Sequence, residues 1–197
     1  MEKLFVARHA ESELSVEGIL NGDPHVPCGL TARGEEQAGE LERALRGEAV
    51  ELAITSDFER CRSTARIALA GRDLRWLELP ELGDIRNGIF EGGRIDDYRG
   101  WARGAPAAEP PPGGGESRAA AARRFVAGLR AVLEQAEPTG LLVSHQIPVG
   151  YVLAAAEGRC PSPQIEAVSY ARAFALTADQ LECAAATLET WASRPDW

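Results

Sequence analysis

The chain is poor in the residues that much protein chemistry depends on. It has three histidines, four cysteines, one methionine and one lysine, Lys3. It has no G-x-x-x-x-G-K-[ST] run, which excludes a P-loop, and no G-x-S-x-G elbow, which argues against a serine hydrolase. Cys28, Cys61, Cys160 and Cys183 are widely spaced with no C-x-x-C pair, so they read as reduced, packed thiols rather than metal ligands. No apolar run approaches the ~18–20 residues that span a bilayer, so no membrane contact is read. Met1 to Arg8 run straight into a strand pattern, without a separate apolar region or cleavage site. No signal peptide is read, and the cytoplasm is the default location. Positive charge is also short: 21 Lys and Arg face 30 Asp and Glu, a net charge of −9. That argues against a nucleic-acid partner, which needs a basic face to neutralise phosphates. A small anionic substrate stays open, because local field outweighs net charge.

What is present is an ordinary soluble composition, 45% hydrophobic and 26% charged over 197 residues. That length fits one domain over residues 1–197. The Pro- and Gly-rich stretch from Gly104 to Gly115 reads as a surface loop, and residues 94–115 as a variable loop or lid. Elsewhere strand and helix patterns alternate. Strands are expected at Leu4–Ala7, Leu52–Ser56, Leu74–Leu79 and Gly140–Ser144, and helices at about 31–47, 59–69, 116–136 and 147–157. Two late alternating segments, Val168–Leu176 and Leu181–Leu188, read as a hairpin or edge pair able to bury a sheet edge or join a second copy into a homodimer. The expected fold class is α/β: a three-layer α/β/α sandwich, its central sheet mainly parallel, with one antiparallel edge strand.

Ligands of open α/β sheets sit beyond the carboxyl ends of the strands. Two strong strands end in Arg8-His9 and Ser144-His145, and a third ends in Thr55-Ser56-Asp57, just before Arg60 and Arg62. If these strands are neighbours, two of the three histidines meet several arginines at one edge. Two histidines make a poor metal site, and arginines repel a cation but match phosphate oxygens. Positive neighbours keep an imidazole neutral, hence nucleophilic. Attack on phosphorus would give a phosphohistidine, stabilised by the arginines, with a carboxylic acid needed to protonate the leaving oxygen. No metal or cofactor is called for. His25, between prolines, reads as a loop residue that touches ligand at most.

Five segments in order resemble the histidine phosphatase superfamily, also called phosphoglycerate mutase-like. They are Arg8-His9-Ala10-Glu11-Ser12, Leu30-Thr31-Ala32-Arg33-Gly34-Glu35-Glu36-Gln37-Ala38, Thr55-Ser56-Asp57-Phe58-Glu59-Arg60-Cys61-Arg62-Ser63-Thr64-Ala65, Gly114-Gly115-Glu116-Ser117 and Leu141-Leu142-Val143-Ser144-His145. The resemblance implies that His9 is the phosphorylated nucleophile and that Arg8, Arg60 and His145 complete the phosphate pocket. It places the proton donor at Asp84, with Glu81 and Glu91 as nearby substitutes. Asn21 and Gly22 are expected to line the pocket. Three positions depart from the family pattern: Ala10, Gln146 and the segment Ser12–Glu17. The compact chain, with Gly83–Gly88 in place of the mutases' Glu-Arg-His-Tyr-Gly motif, looks like the phosphatase branch. The implied activity is metal-independent hydrolysis of a small phosphate ester. Phosphoglycerate mutase-type transfer and a non-catalytic phospho-ligand binding protein are the alternatives. Sugar phosphates, phosphoglycerate derivatives and α-ribazole phosphate remain open as substrates. Arg94, Arg99, Trp101 and Arg103 are candidates to cap the pocket, and a second anion on the substrate would explain the arginines.

Overall fold

A computed structural model describes all of residues 1–197. In chain order the elements are β1 (Lys3–Arg8), α1 (Glu13–Glu17), α2 (Ala32–Leu45), β2 (Leu52–Thr55), α3 (Glu59–Ala68), β3 (Arg75–Glu78), α4 (Ile95–Ala102), α5 (Arg118–Leu133), β4 (Thr139–Ser144), α6 (Gln146–Ala156), β5 (Phe174–Thr177) and α7 (Ala178–Ser193). The five strands form one sheet in the order β3-β2-β4-β1-β5. Its first four strands run parallel, and β5 pairs antiparallel with β1 at one edge. The mainly parallel sandwich with one antiparallel edge is therefore the observed fold class.

The side-chain period of two along a strand sorts the core into two layers. Leu4, Val6, Leu52, Ile54 and Leu142 face one cluster, closed by α5, α6 and α7. Phe5, Ala7, Ala53, Leu141 and Val143 face the other, closed by α2 and α3. Because both faces are covered, the central strands read as continuous apolar runs. No helix is long and apolar enough to cross a membrane.

Two expectations need correction. Residues 181–188 are helix, within α7, and not a strand. The Thr177 hydroxyl accepts from the Gln180 amide while the Gln180 side chain accepts from Thr177 N–H, a closed capping box that starts the helix. Leu181, Ala184, Ala185 and Leu188 are buried at helical spacing. No late hairpin forms: only Phe174–Thr177 of the first segment is strand, and it pairs with β1. The 94–115 segment is not all loop, since α4 occupies residues 95–102. The Pro- and Gly-rich stretch that follows is docked, with Ala107 donating to the Trp197 carbonyl at 2.9 Å and Pro112 accepting from Ile89 at 2.8 Å.

Candidate active site

β1 and β4 are adjacent and parallel, with Arg8 opposite Ser144. The residues that follow, His9 and His145, therefore leave the sheet side by side. His9 N–H donates to the Ser144 carbonyl at 2.8 Å, and the two rings lie 5.3 Å apart, edge to face. Both are buried. The His9 Nδ1 lies 2.7 Å from the Ala10 carbonyl. A carbonyl only accepts, so Nδ1 carries the proton and the lone pair sits on Nε2. On His145 the roles are reversed. Arg60 Nη2 donates to Nδ1 at 3.1 Å, so the proton is on Nε2, which donates to Ser56 Oγ at 2.8 Å. Burial first, then the Arg60 charge, holds both imidazoles well below their usual pKa, so both are neutral near pH 7. Cys61 Sγ also lies 3.5 Å from His145 Nε2, and burial pushes its thiol up to about 12, so it stays protonated.

Arg60 enters from the first turn of α3, stacked over Phe58 at 4.3 Å. Its Nη2 also donates to the Asn21 carbonyl at 3.0 Å and approaches Asp84 Oδ2 at 3.4 Å. Arg8 lies over the Tyr170 ring at 3.9 Å and donates from Nη1 to Gln146 Oε1 and the Val168 carbonyl. The Nε atoms of Arg8 and Arg60 are buried without an acceptor. Two such donors beside two neutral imidazoles form a cup that an oxyanion would satisfy. No group of three or more His, Cys, Asp and Glu is placed to hold a metal ion.

Asp84 is half-buried at the rim of this cup, its Oδ2 3.7 Å from His145 Nδ1. Burial raises its carboxyl above the usual range, against the opposing pull of Arg60. Glu91 is committed elsewhere: its carboxylate accepts from Gly22 N–H at 2.8 Å and Asn87 N–H at 2.6 Å. Glu81 does not line the cavity, and its carbonyl accepts from Arg124. Asn21 lines the cavity and Gly22 does not. A Cβ on Gly22 would stand 2.2 Å from the Ile85 carbonyl, so the glycine lets two backbone segments meet. Arg62 turns away to Glu78, and exposed His25 pairs with Asp23.

Several contributors carry no local sequence signal. Arg124 of α5 donates to the carbonyls of Glu81, Gly83 and Asp84 and forks onto the Glu116 carboxylate. That clamp holds the loop bearing Asp84. Tyr170, the stack under Arg8, comes from a segment read as strand. Gln146 bridges Arg8 to the 166–168 backbone. The cup opens into a cavity of about 700 Å³ whose far wall includes Tyr98, Arg99, Arg103, Arg118, Ile147 and Ile165.

A strand-end histidine pair held by arginines at the carboxyl edge of a mainly parallel sheet is the arrangement that this fold builds. The chain belongs to the histidine phosphatase superfamily (branch 1), whose family model matches residues 4–186. The adenosylcobalamin/alpha-ribazole phosphatase of Escherichia coli is 38% identical over 89 residues, which is 45% of this chain and 43% of that protein. The chain thus spans under half the length of that curated relative. A Klebsiella pneumoniae protein named "Probable phosphoglycerate mutase GpmB" is 31% identical over 157 residues, covering 76% of this chain and 72% of its own. The crystal structure of the alpha-ribazole phosphatase from Shigella flexneri superposes with a TM-score of 0.77 at 30% identity, covering 88% of this chain and 89% of that one.

Proposed function

We propose that the chain hydrolyses the phosphomonoester of a small metabolite through a phosphohistidine on His9, without a metal. The observation that carries this reading is the tautomer of His9: with Nδ1–H tied to Ala10, its free lone pair is on Nε2, in a cup of unsatisfied guanidinium donors. In the first step Nε2 attacks phosphorus and the ester P–O bond breaks. Arg8 and Arg60 hold the non-bridging oxygens, His145 completes the pocket by fixing Arg60 through its Nδ1, and Asp84 gives its proton to the leaving oxygen. In the second step water attacks phosphorus, Asp84 takes the water proton, the P–N bond breaks and phosphate leaves. The raised carboxyl of Asp84 suits a group that must hold a proton and then accept one. Asn21 lines this pocket in the same reading, while Gly22 shapes it through its contact with Ile85. Residues 1–197 act as one cytoplasmic domain, with 94–115 as its variable wall.

The kinship with alpha-ribazole phosphatases supports the phosphatase branch and makes alpha-ribazole 5′-phosphate one ester to assay. The test is turnover of p-nitrophenyl phosphate in EDTA, with quenching in alkaline SDS to trap phosphoenzyme. Wild type should turn over and yield acid-labile, base-stable phosphoprotein, and His9→Ala should do neither. Turnover that needs added Mg²⁺, or survives in His9→Ala, would sink the mechanism. A mutase reading has one supporting observation, the relative named as a mutase that matches over 72% of its length. It requires phosphoryl transfer between positions of 3-phosphoglycerate, dependent on 2,3-bisphosphoglycerate. Ligand binding with no turnover of any ester would favour a non-catalytic binding protein.

A further inference from the structure

The cavity beyond the phosphate cup has a charge balance opposite to that of the chain. Its charged lining residues are Arg8, Arg60, Asp84, Arg99, Arg103 and Arg118. Five positive groups and one negative group face a single space in a protein of net charge −9. The phosphate cup accounts for Arg8 and Arg60, and Asp84 sits against Arg60. The other three arginines form a separate wall. Ile95, Tyr98, Arg99, Ala102 and Arg103 all line the cavity. Their spacing of i, i+3, i+4, i+7 and i+8 presents one face of α4 to the cavity. Arg118 joins this wall from the first turn of α5.

Arg118 is the anchor of this wall. It has no carboxylate within ion-pair distance; its Nε donates to the Tyr98 hydroxyl at 3.2 Å, and its guanidinium also faces the Tyr151 hydroxyl. Its Nη1 is buried with no acceptor. A guanidinium cannot shed its proton, so partial burial without a counter-charge is a standing cost. Arg103 likewise has no ion pair, whereas Arg99 is held by the exposed Asp96 at 3.3 Å. At about 700 Å³ the cavity is also sized for a whole metabolite rather than for inorganic phosphate.

We propose that Arg118 and Arg103 form a second anion subsite, and that the substrate is a phosphomonoester carrying a further carboxylate or phosphate. This rests on the phosphatase reading of the cup, and it adds a substrate class to it. The phosphoryl group sits at His9, the body of the ester crosses the apolar surface of Ile95, Ile147 and Ile165, and the second anion reaches Arg118. Arg118 is then a specificity determinant, bonded to a group that does not react.

The experiment compares matched esters that differ in one charge: 6-phosphogluconate against sorbitol 6-phosphate, and 4-carboxyphenyl phosphate against its 4-carbamoyl analogue. Wild type should prefer the charged member of a pair by about tenfold in kcat/KM, the worth of one charge-assisted hydrogen-bonded pair. Arg118→Met should bring that ratio close to one, and Arg103→Gln should lower it about threefold. The ratio cancels general damage to the enzyme. If Arg118→Met does not fold, the exposed Arg103→Gln decides alone, and an unchanged ratio there overturns the subsite. A wild-type ratio near one, with both esters turned over, overturns the subsite and leaves the phosphatase reading standing. If no ester is turned over, the phosphatase reading fails. The ratio of dissociation constants for the same pairs, measured by calorimetry, then decides the subsite by the same criteria.

Discussion

Arg124 and Glu116 are joined by a two-pronged ion pair, Nε to Oε1 at 2.9 Å and Nη2 to Oε2 at 2.5 Å, directly behind the loop that carries Asp84. The outer edge of the same guanidinium collects the Glu81, Gly83 and Asp84 carbonyls. A planar fork of five donors can serve all of these acceptors, and an ammonium cannot. Arg124→Lys should therefore behave much like Arg124→Met. Both are expected to lower kcat by about 10²-fold through misplacement of Asp84, with a smaller change in KM. Arg124→Met also leaves Glu116 buried and unpaired, which costs about 3–5 kcal/mol in urea unfolding, whereas the lysine ammonium keeps a counter-charge there. If Arg124→Lys kept wild-type kcat, Arg124 would not position the acid.

Asp84→Asn separates the proton donor from the phosphate cup. An alkoxide leaves badly unless it is protonated, whereas p-nitrophenolate leaves without help. The variant should lose about 10²–10⁴-fold in kcat/KM, which reports the phosphorylation step alone, on an alkyl phosphate and far less on p-nitrophenyl phosphate. The parallel Glu91→Gln variant should show no such dependence on the leaving group, because Glu91 is spent on the backbone of Gly22 and Asn87. Equal losses on both substrates in Asp84→Asn would move the donor elsewhere.

Acid should destabilise the fold through its two buried imidazoles. Their folded pKa values lie well below the ordinary value, chiefly from burial. The unfolded chain therefore takes up protons first, near pH 6.5. It binds more protons than the native state below that pH, so stability falls as pH drops through 6.5 towards the native values. Between pH 7.5 and 5.5 each histidine contributes on the order of 1 kcal/mol to that fall. Urea unfolding of His145→Gln at both pH values should show a drop smaller than wild type by about that amount. Asp84 acts in a different window, because its raised carboxyl favours the folded state at low pH and withdraws that support as pH rises past its ordinary range. A pH dependence unchanged in His145→Gln would mean that His145 is not the neutral, buried ring described above.

The edge that carries His9 and His145 is legible in the sequence because its signals are local. Leu4–Ala7 and Leu141–Val143 are apolar runs with a histidine at the end, and strand adjacency was the one assumption that the sheet order had to supply. Arg60 follows from the short link between β2 and α3. What escaped depends on distance through space. Arg124 lies 40 residues from Asp84, and nothing in the helix marks it as a loop clamp. Tyr170 reaches Arg8 through a separate bridge to the end of β1, where Ala171 N–H donates to the Arg8 carbonyl at 2.9 Å. The misread stretch Leu181–Leu188 is built from Leu, Cys and Ala at positions that satisfy a period of two about as well as 3.6. The deciding signal was upstream, where Thr177 and Gln180 form a capping box.

Gln146 stands where a glycine is common in the resembling family, and the structure gives it a definite task. Its Oε1 accepts from both Arg8 Nη1 and Val168 N–H at 3.0 Å, while its Nε2 donates to the Glu166 carbonyl at 2.7 Å. One amide thus fixes the reach of Arg8 and the position of the strand-free segment that walls the cavity. Gln146→Glu keeps an acceptor for Arg8 and Val168 but replaces the donor to Glu166 with a repelling oxygen. It also places a negative charge on Arg8, in competition with the phosphate. The expected result is a rise in KM for any phosphate ester of about tenfold, relieved at low pH as the new carboxylate protonates. Gln146→Leu removes all three hydrogen bonds but adds no charge against the phosphate, and should raise KM by less, with no relief in acid. Equal KM values for the two variants would show that Gln146 acts only by filling space and not through its bond to Arg8.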